Sequence, residues 1–243
     1  LACRIALCAG SVKRSRARGP RWSGIGDLPI KRVMRQTSKT AKFWDRMAAG
    51  YAARPISDQL SYEKKLAATQ AYFTPDMHLF EFGCGTGSTA IAHAPHVAHI
   101  HAVDISPAML EIGRAKADAA GVDNVTFEVG AIESLEAPDA AYDMALGLSI
   151  LHLLRDRGAA MRKVHRLLKP GGLFVSSTLC LRDSYYRFTA PVLLAGRAIG
   201  RLPYIGVMRE ENLKAEIIDA GFEIIEAWRP GRDKASFIVA RRA

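Results

Sequence analysis

The sequence predicts an α/β protein built on a doubly wound (Rossmann-like) sheet, mostly parallel, whose last strand runs against its neighbour. Three observations predict it. Short apolar runs alternate with helical segments between residues 78 and 178, the pattern of parallel strands joined by crossover helices. The first run leads into a glycine loop, LFEFGCGTGS at 79–88, and the next, HIHAVDI, closes on Asp104, 19 positions after Gly85. Near the end, the runs FEIIEAW and ASFIVAR are separated only by residues 229–234, too short for a parallel crossover and suited to a hairpin.

The elements follow in order. Ahead of the sheet lie a segment with aromatic residues at 43–55 and a helix over about 58–73. Strands are predicted at 78–82, 99–105, 125–130, 142–148 and 173–178, with helices between them. The helix after Asp104 carries its own signals: Ser106 as N-cap, Pro107 at the first helical position and Gly121 just past the end. Another helix begins near 157 and is expected to stop at Lys169-Pro170-Gly171-Gly172, which cannot continue it. A last helix, about 210–220, ends at Gly221 before the hairpin.

The loop carries the chemistry. Gly83, Gly85 and Gly87 allow sharp turns and close approach of a ligand to the backbone. Asp104, at the end of the second strand, fits an acceptor for ribose hydroxyls. Together they point to an adenosine-containing ligand. A dinucleotide fingerprint requires a third glycine where Ser88 stands, and Glu81 beside the loop would repel a pyrophosphate but attract an ammonium. S-adenosylmethionine has such an ammonium.

Five blocks in order, EFGCGTGS (81–88), AVDISPAML (102–110), GAIESL (130–135), YDMALGLSILHLL (142–154) and LLKPGGLF (167–174), resemble the class I S-adenosylmethionine-dependent methyltransferases. The resemblance covers about residues 40–240 and is strongest to the small-molecule branch that includes ubiquinone- and menaquinone-biosynthesis enzymes. It implies a seven-stranded sheet of order 3-2-1-4-5-7-6. It also implies that the loop at Gly83, Cys84 and Gly85 supports the methionine part, that Asp104 takes the ribose and that Ile105 covers the adenine. Ala131 and Ile132 would lie at the adenine edge and Leu148 at the methionine end, with Glu81, Phe82 and Met109 counted among the cofactor-binding residues. Tyr51, in a lid formed by residues 34–75 with Phe43 and Trp44, would fold over the cofactor. Ordinary core packing is the competing reading for Ile105, Ile132 and Leu148.

Methyl transfer needs chiefly alignment and exclusion of water. Where the acceptor is a hydroxyl, His152, after the fourth strand, is the candidate base, with a packing role as its alternative. A substrate cap is expected over 182–209, where Tyr185, Tyr186, Phe188 and Tyr204, the run Val192 to Ala195, and Arg182, Arg187, Arg197, Arg201 and Arg209 face one acid, Asp183. Such a cap suits a small, hydrophobic or anionic acceptor, or peripheral contact with a membrane surface. His93, His96, His99 and His101 are close in sequence, but no carboxylate or cysteine completes a metal-ligand spacing, so no metal is expected.

The net charge of +10 is concentrated in residues 1–33, which hold eight Lys or Arg against Asp27 and leave +3 for the rest. The folded part is therefore expected to bind no nucleic acid. Residues 1–33 read as upstream sequence before a natural start at Met34, with a transit segment or a nucleic-acid-binding arm as alternatives. The methyltransferase domain is placed at 34–243. Cys84 and Cys180 stand in apolar contexts, suggesting packing thiols in a reducing cytoplasm. No apolar run approaches the length of a membrane span. The competing functions are an NAD(P)-dependent oxidoreductase and a noncatalytic cofactor- or nucleic-acid-binding module.

Overall fold

A computed structural model of the chain describes residues 27–189, 196 and 202–243, with side chains from Lys39 onward apart from Tyr186 and Thr189. The basic stretch up to residue 26, Val192 to Ala195, Arg197 and Arg201 lie outside the described residues. Seven strands, β1 (His78–Phe82), β2 (His99–Asp104), β3 (Val125–Val129), β4 (Tyr142–Leu148), β5 (Leu168–Thr178), β6 (Phe222–Trp228) and β7 (Ser236–Arg242), form one sheet of order β3-β2-β1-β4-β5-β7-β6. β1 to β5 are parallel, while β7 runs against both β5 and β6. This is the order the resemblance implied.

The helices are α1 (Asp27–Ala52), α2 (Gln59–Gln70), α3 (Ser88–His93), α4 (Pro107–Ala120), α5 (Arg157–Leu167) and α6 (Glu210–Asp219). Period-two alternation sends Leu79, Ile100, Met144, Leu146, Val175 and Val239 to one face of the sheet, against α3 and the end of α2. Phe80, Phe82, Ala145, Phe174 and Ile238 go to the other, against Met161, Val164 and Leu167 of α5 and Leu213 and Ile217 of α6. Both faces are covered, so the central strands read as nearly continuous apolar runs. Ser106 caps α4 by accepting the Met109 amide at 3.2 Å, and Gly121 ends it at φ 66°.

Two boundaries differ from expectation. β5 starts at Leu168, not 173, because Leu168 already pairs with Tyr142 and the next pair is Leu173 with Met144. Residues 169–172 are a bulge inside the strand rather than a loop ahead of it, with Gly171 at φ 76°. α1 runs through Met34, its backbone helical from Asp27.

The turn between β6 and β7 ties together two segments distant in sequence. Lys234 pairs with Asp58, the N-cap of α2, at 2.5 Å. Asp233 accepts hydrogen bonds from Ser184 Oγ (3.1 Å) and the Tyr185 amide (2.8 Å). Among the described residues no helix is long and apolar enough to cross a membrane.

Candidate active site

The carboxyl ends of β1, β2 and β4 meet at one edge of the sheet, where a crossover fold leaves a crevice. All three loop glycines adopt left-handed backbone: Gly83 at φ 68°, Gly85 at 56° and Gly87 at 68°. Their surroundings differ. A Cβ on Gly83 would lie 2.6 Å from Ile150, and one on Gly87 2.6 Å from the Phe127 ring, whereas one on Gly85 would meet nothing within 4 Å. Gly83 and Gly87 therefore satisfy packing, and Gly85 leaves a bare stretch of backbone. Four loop amides are spent internally: Gly83 and Cys84 donate to the Val103 carbonyl, Gly87 to that of Cys84, and Gly85 to Asp104 Oδ2 at 2.9 Å.

Two carboxyls dominate the site. Asp104 accepts the Gly85 amide on Oδ2 and the Ser106 amide on Oδ1 (2.9 Å), so β2's end is laced to the loop. Burial pushes its pKa up against the pull of those amides, and Asp45 nearby adds to the rise. Glu81 is 3% exposed, and its Oε2 is buried with no hydrogen-bond partner. Burial, with Asp104 as a like charge, lifts its pKa to about 8. Asp45 of α1, invisible to sequence reasoning, accepts from Ser106 Oγ at 2.6 Å and from the Ala108 amide at 3.2 Å. It fixes α1 across the start of α4, beside Asp104, and holds a negative charge at a helix N-terminus.

The structure thus brings Glu81, Gly83, Cys84, Gly85 and Asp104 together, with Ile105 next in chain and Leu148 at the end of β4. Phe82 turns into the core, stacked with Phe174 at 6.3 Å, and Met109 and Ile132 are 3% exposed. These three contribute through backbone position and packing. Ala131 lies at the turn after β3, its carbonyl accepting the Ser134 and Leu135 amides. Tyr51 is 52% exposed at the end of α1, close enough to Tyr62 to shift its titration. Burial and the like charge of Glu81 hold the Cys84 thiol protonated.

His152 sits in a single 3₁₀ turn after β4. Its Nδ1 is buried without a hydrogen-bond partner, and burial lowers its pKa to about 4. Burial therefore keeps it a neutral imidazole at neutral pH. Just before it, Ser149 adopts φ 57°, a strained conformation for a residue with a side chain, while its amide donates to the Ser177 carbonyl at 2.7 Å. The cap touches this turn: the Gly206 amide donates to the His152 carbonyl at 2.7 Å. The histidines at 93–101 are dispersed among protein partners: His93 Nδ1 with Gln70, His99 with Thr126, and His101 between Tyr142 and Glu128.

Residues 79–172 match a family described as a methyltransferase domain. A demethylmenaquinone methyltransferase of Symbiobacterium thermophilum is 31% identical over 153 residues, 59% of this chain and 58% of that protein. A 27-O-demethylrifamycin SV methyltransferase of Amycolatopsis mediterranei is 30% identical over 185 residues, 74% of this chain and 65% of that one. The chain spans 38% of the length of one curated relative, 58% of the demethylmenaquinone methyltransferase and 65% of the rifamycin enzyme. The crystal structure of an S-adenosylmethionine-dependent methyltransferase from Mesorhizobium loti shares the fold, with a TM-score of 0.60 at 21% identity over 74% of this chain and 96% of that chain.

Proposed function

We propose that this chain, which carries a class I S-adenosylmethionine-dependent methyltransferase domain, transfers the methyl group of S-adenosylmethionine to a small, hydrophobic acceptor. One observation carries the reading. The amides of Gly83, Cys84, Gly85 and Gly87 are committed within the protein, and beside them Glu81 offers a buried carboxyl oxygen without a partner. A buried carboxyl oxygen without a partner is answered by an ammonium, which donates to it, and not by a diphosphate, which only accepts. The site residues therefore fit the amino-acid end of S-adenosylmethionine better than a nicotinamide dinucleotide.

When bound, the cofactor supplies a sulfonium-activated methyl carbon, whose bonding pair returns to sulfur as an acceptor lone pair takes the carbon. The chain's own residues do the rest. Asp104, with each oxygen already bonded once, keeps acceptor capacity for ribose hydroxyls. Gly85 lets the ligand approach the backbone, and Glu81 holds the ammonium. Ile105, Ala131 and Ile132 border the adenine. α1, α2 and the cap exclude water and keep the acceptor in line. With a hydroxyl acceptor, His152 Nδ1 takes the proton as the new bond forms. Exposed Ile56, Leu60, Tyr185 and Phe188 support a hydrophobic acceptor.

Calorimetric titration of the full chain with S-adenosylmethionine and, separately, with NAD tests the reading, with Asp104→Ala and Asp104→Asn as controls. Micromolar affinity for the former, weakened at least about tenfold in both variants, is the expected result. Binding of NAD, or of neither ligand, would overturn it.

A further inference from the structure

α2 turns one side toward the crevice. Tyr62, near enough to Glu81 for its charge to be felt, lies beside Thr89 at the start of α3. Lys65, three positions on and so on the same side of the helix, donates from Nζ to Ser177 Oγ at 2.9 Å. Ser177 is 4% exposed, pairs with Leu148 across the sheet and accepts the Ser149 amide on its carbonyl. The ammonium of Lys65 thus stands at the ends of β4 and β5, beside the strained residue before His152 and on the sheet face that holds Glu81.

Its surroundings leave this charge unanswered. Lys65 is half-buried, and burial pulls its pKa down. Among the described residues its hydrogen-bond partner is a neutral hydroxyl and no carboxylate forms an ion pair with it. The acid whose charge acts on it, Asp58, is held by Lys234 at 2.5 Å. A cation withdrawn from water with only a hydroxyl for company gains most from an oxyanion.

We propose that Lys65, positioned by Ser177, is a specificity-determining residue that binds an oxyanion of a ligand lying over the ends of β4 and β5. The inference rests on the methyltransferase reading and deepens it by giving the acceptor a chemical class: apolar, with a carboxylate, phenolate or enolate oxygen. The same oxyanion could come from the carboxylate of the cofactor, and the test separates the two sources.

The full chain loaded with S-adenosylhomocysteine is titrated with benzoate and octanoate and with their neutral counterparts, benzyl alcohol and octan-1-ol. The wild type prefers the carboxylates by about tenfold or more. Lys65→Met abolishes the preference and leaves the alcohols unchanged, Lys65→Arg keeps it, and Ser177→Ala weakens it about threefold. A second arm compares S-adenosylhomocysteine with 5′-methylthioadenosine, which lacks the amino-acid end. If Lys65→Met weakens only the former and the wild type prefers no carboxylate, the site stands and the oxyanion is the cofactor's. If Lys65→Met, folded by circular dichroism, changes neither arm, the proposal is overturned. A wild type that binds no S-adenosylhomocysteine defeats the cofactor reading instead, and the carboxylate arm, run on unloaded protein, still decides for or against Lys65.

Discussion

Replacing Glu81 by Gln removes a carboxyl whose pKa is lifted from 4.5 to about 8 by burial and by Asp104. A raised carboxyl favours the folded state only while protonated. Its contribution is fully present below about pH 4.5 and lost as the pH climbs through about 8. At about 1.4 kcal/mol per pH unit the loss is at most about 5 kcal/mol, and local relaxation and water entry should leave about 2–4 kcal/mol of it. Glu81→Gln should therefore match the wild type near pH 5 and exceed it in urea unfolding by about 2–4 kcal/mol near pH 9. The same carboxyl should ionise when it meets the cofactor's ammonium. Binding of S-adenosylmethionine near pH 7 should then release nearly one proton, read by calorimetry in buffers of different ionisation enthalpy, while Glu81→Gln releases none and binds more weakly. Equal stabilities near pH 9, or binding without proton release, would refute the reasoning.

The glycine loop gives a paired prediction: Gly85→Ala should cost about 1–2 kcal/mol of stability, the strain of left-handed backbone, yet lose most cofactor affinity. Gly83→Ala adds a clash with Ile150 and should cost about 2–4 kcal/mol in thermal unfolding; equal losses would count against the assignment. Asp45→Ala removes two hydrogen bonds at the start of α4 and should destabilise by about 1–2 kcal/mol, with faster amide exchange in α1; unchanged exchange would show that Asp45 does not tether the helix. Burial depresses the His152 pKa to about 4, so its contribution to stability is present above about pH 6.5 and lost as the pH falls through about 4. Turnover of a hydroxyl acceptor should accordingly stay flat above about pH 6, and His152→Ala should lower kcat at least about 100-fold at unchanged cofactor affinity; unaltered turnover removes it from the mechanism.

Much of the frame was legible because local rules and tertiary packing agree. Ser106, Pro107 and Gly121 mark the ends of α4 whatever packs against it, and the glycine loop with Asp104 is a local device made by two neighbouring strands. What stayed hidden depends on distant partners. Asp45 reaches Ser106 across 61 residues and Lys65 reaches Ser177 across 112, and nothing in either neighbourhood announces the meeting. The run from Lys169 to Gly172 has the composition of a loop, yet Leu168 is fully buried and paired with Tyr142, so burial drew the strand back past the breakers. Phe82 shows the opposite limit: its place next to the loop is plain, but strand alternation points its ring away from the ligand.

The turn between β6 and β7 grips α2 through Lys234 and the first residues of the cap through Asp233. Consecutive residues therefore tie the start of α2 to the segment that follows β5, and because both contacts hang on one short turn, loosening that turn frees the two segments together.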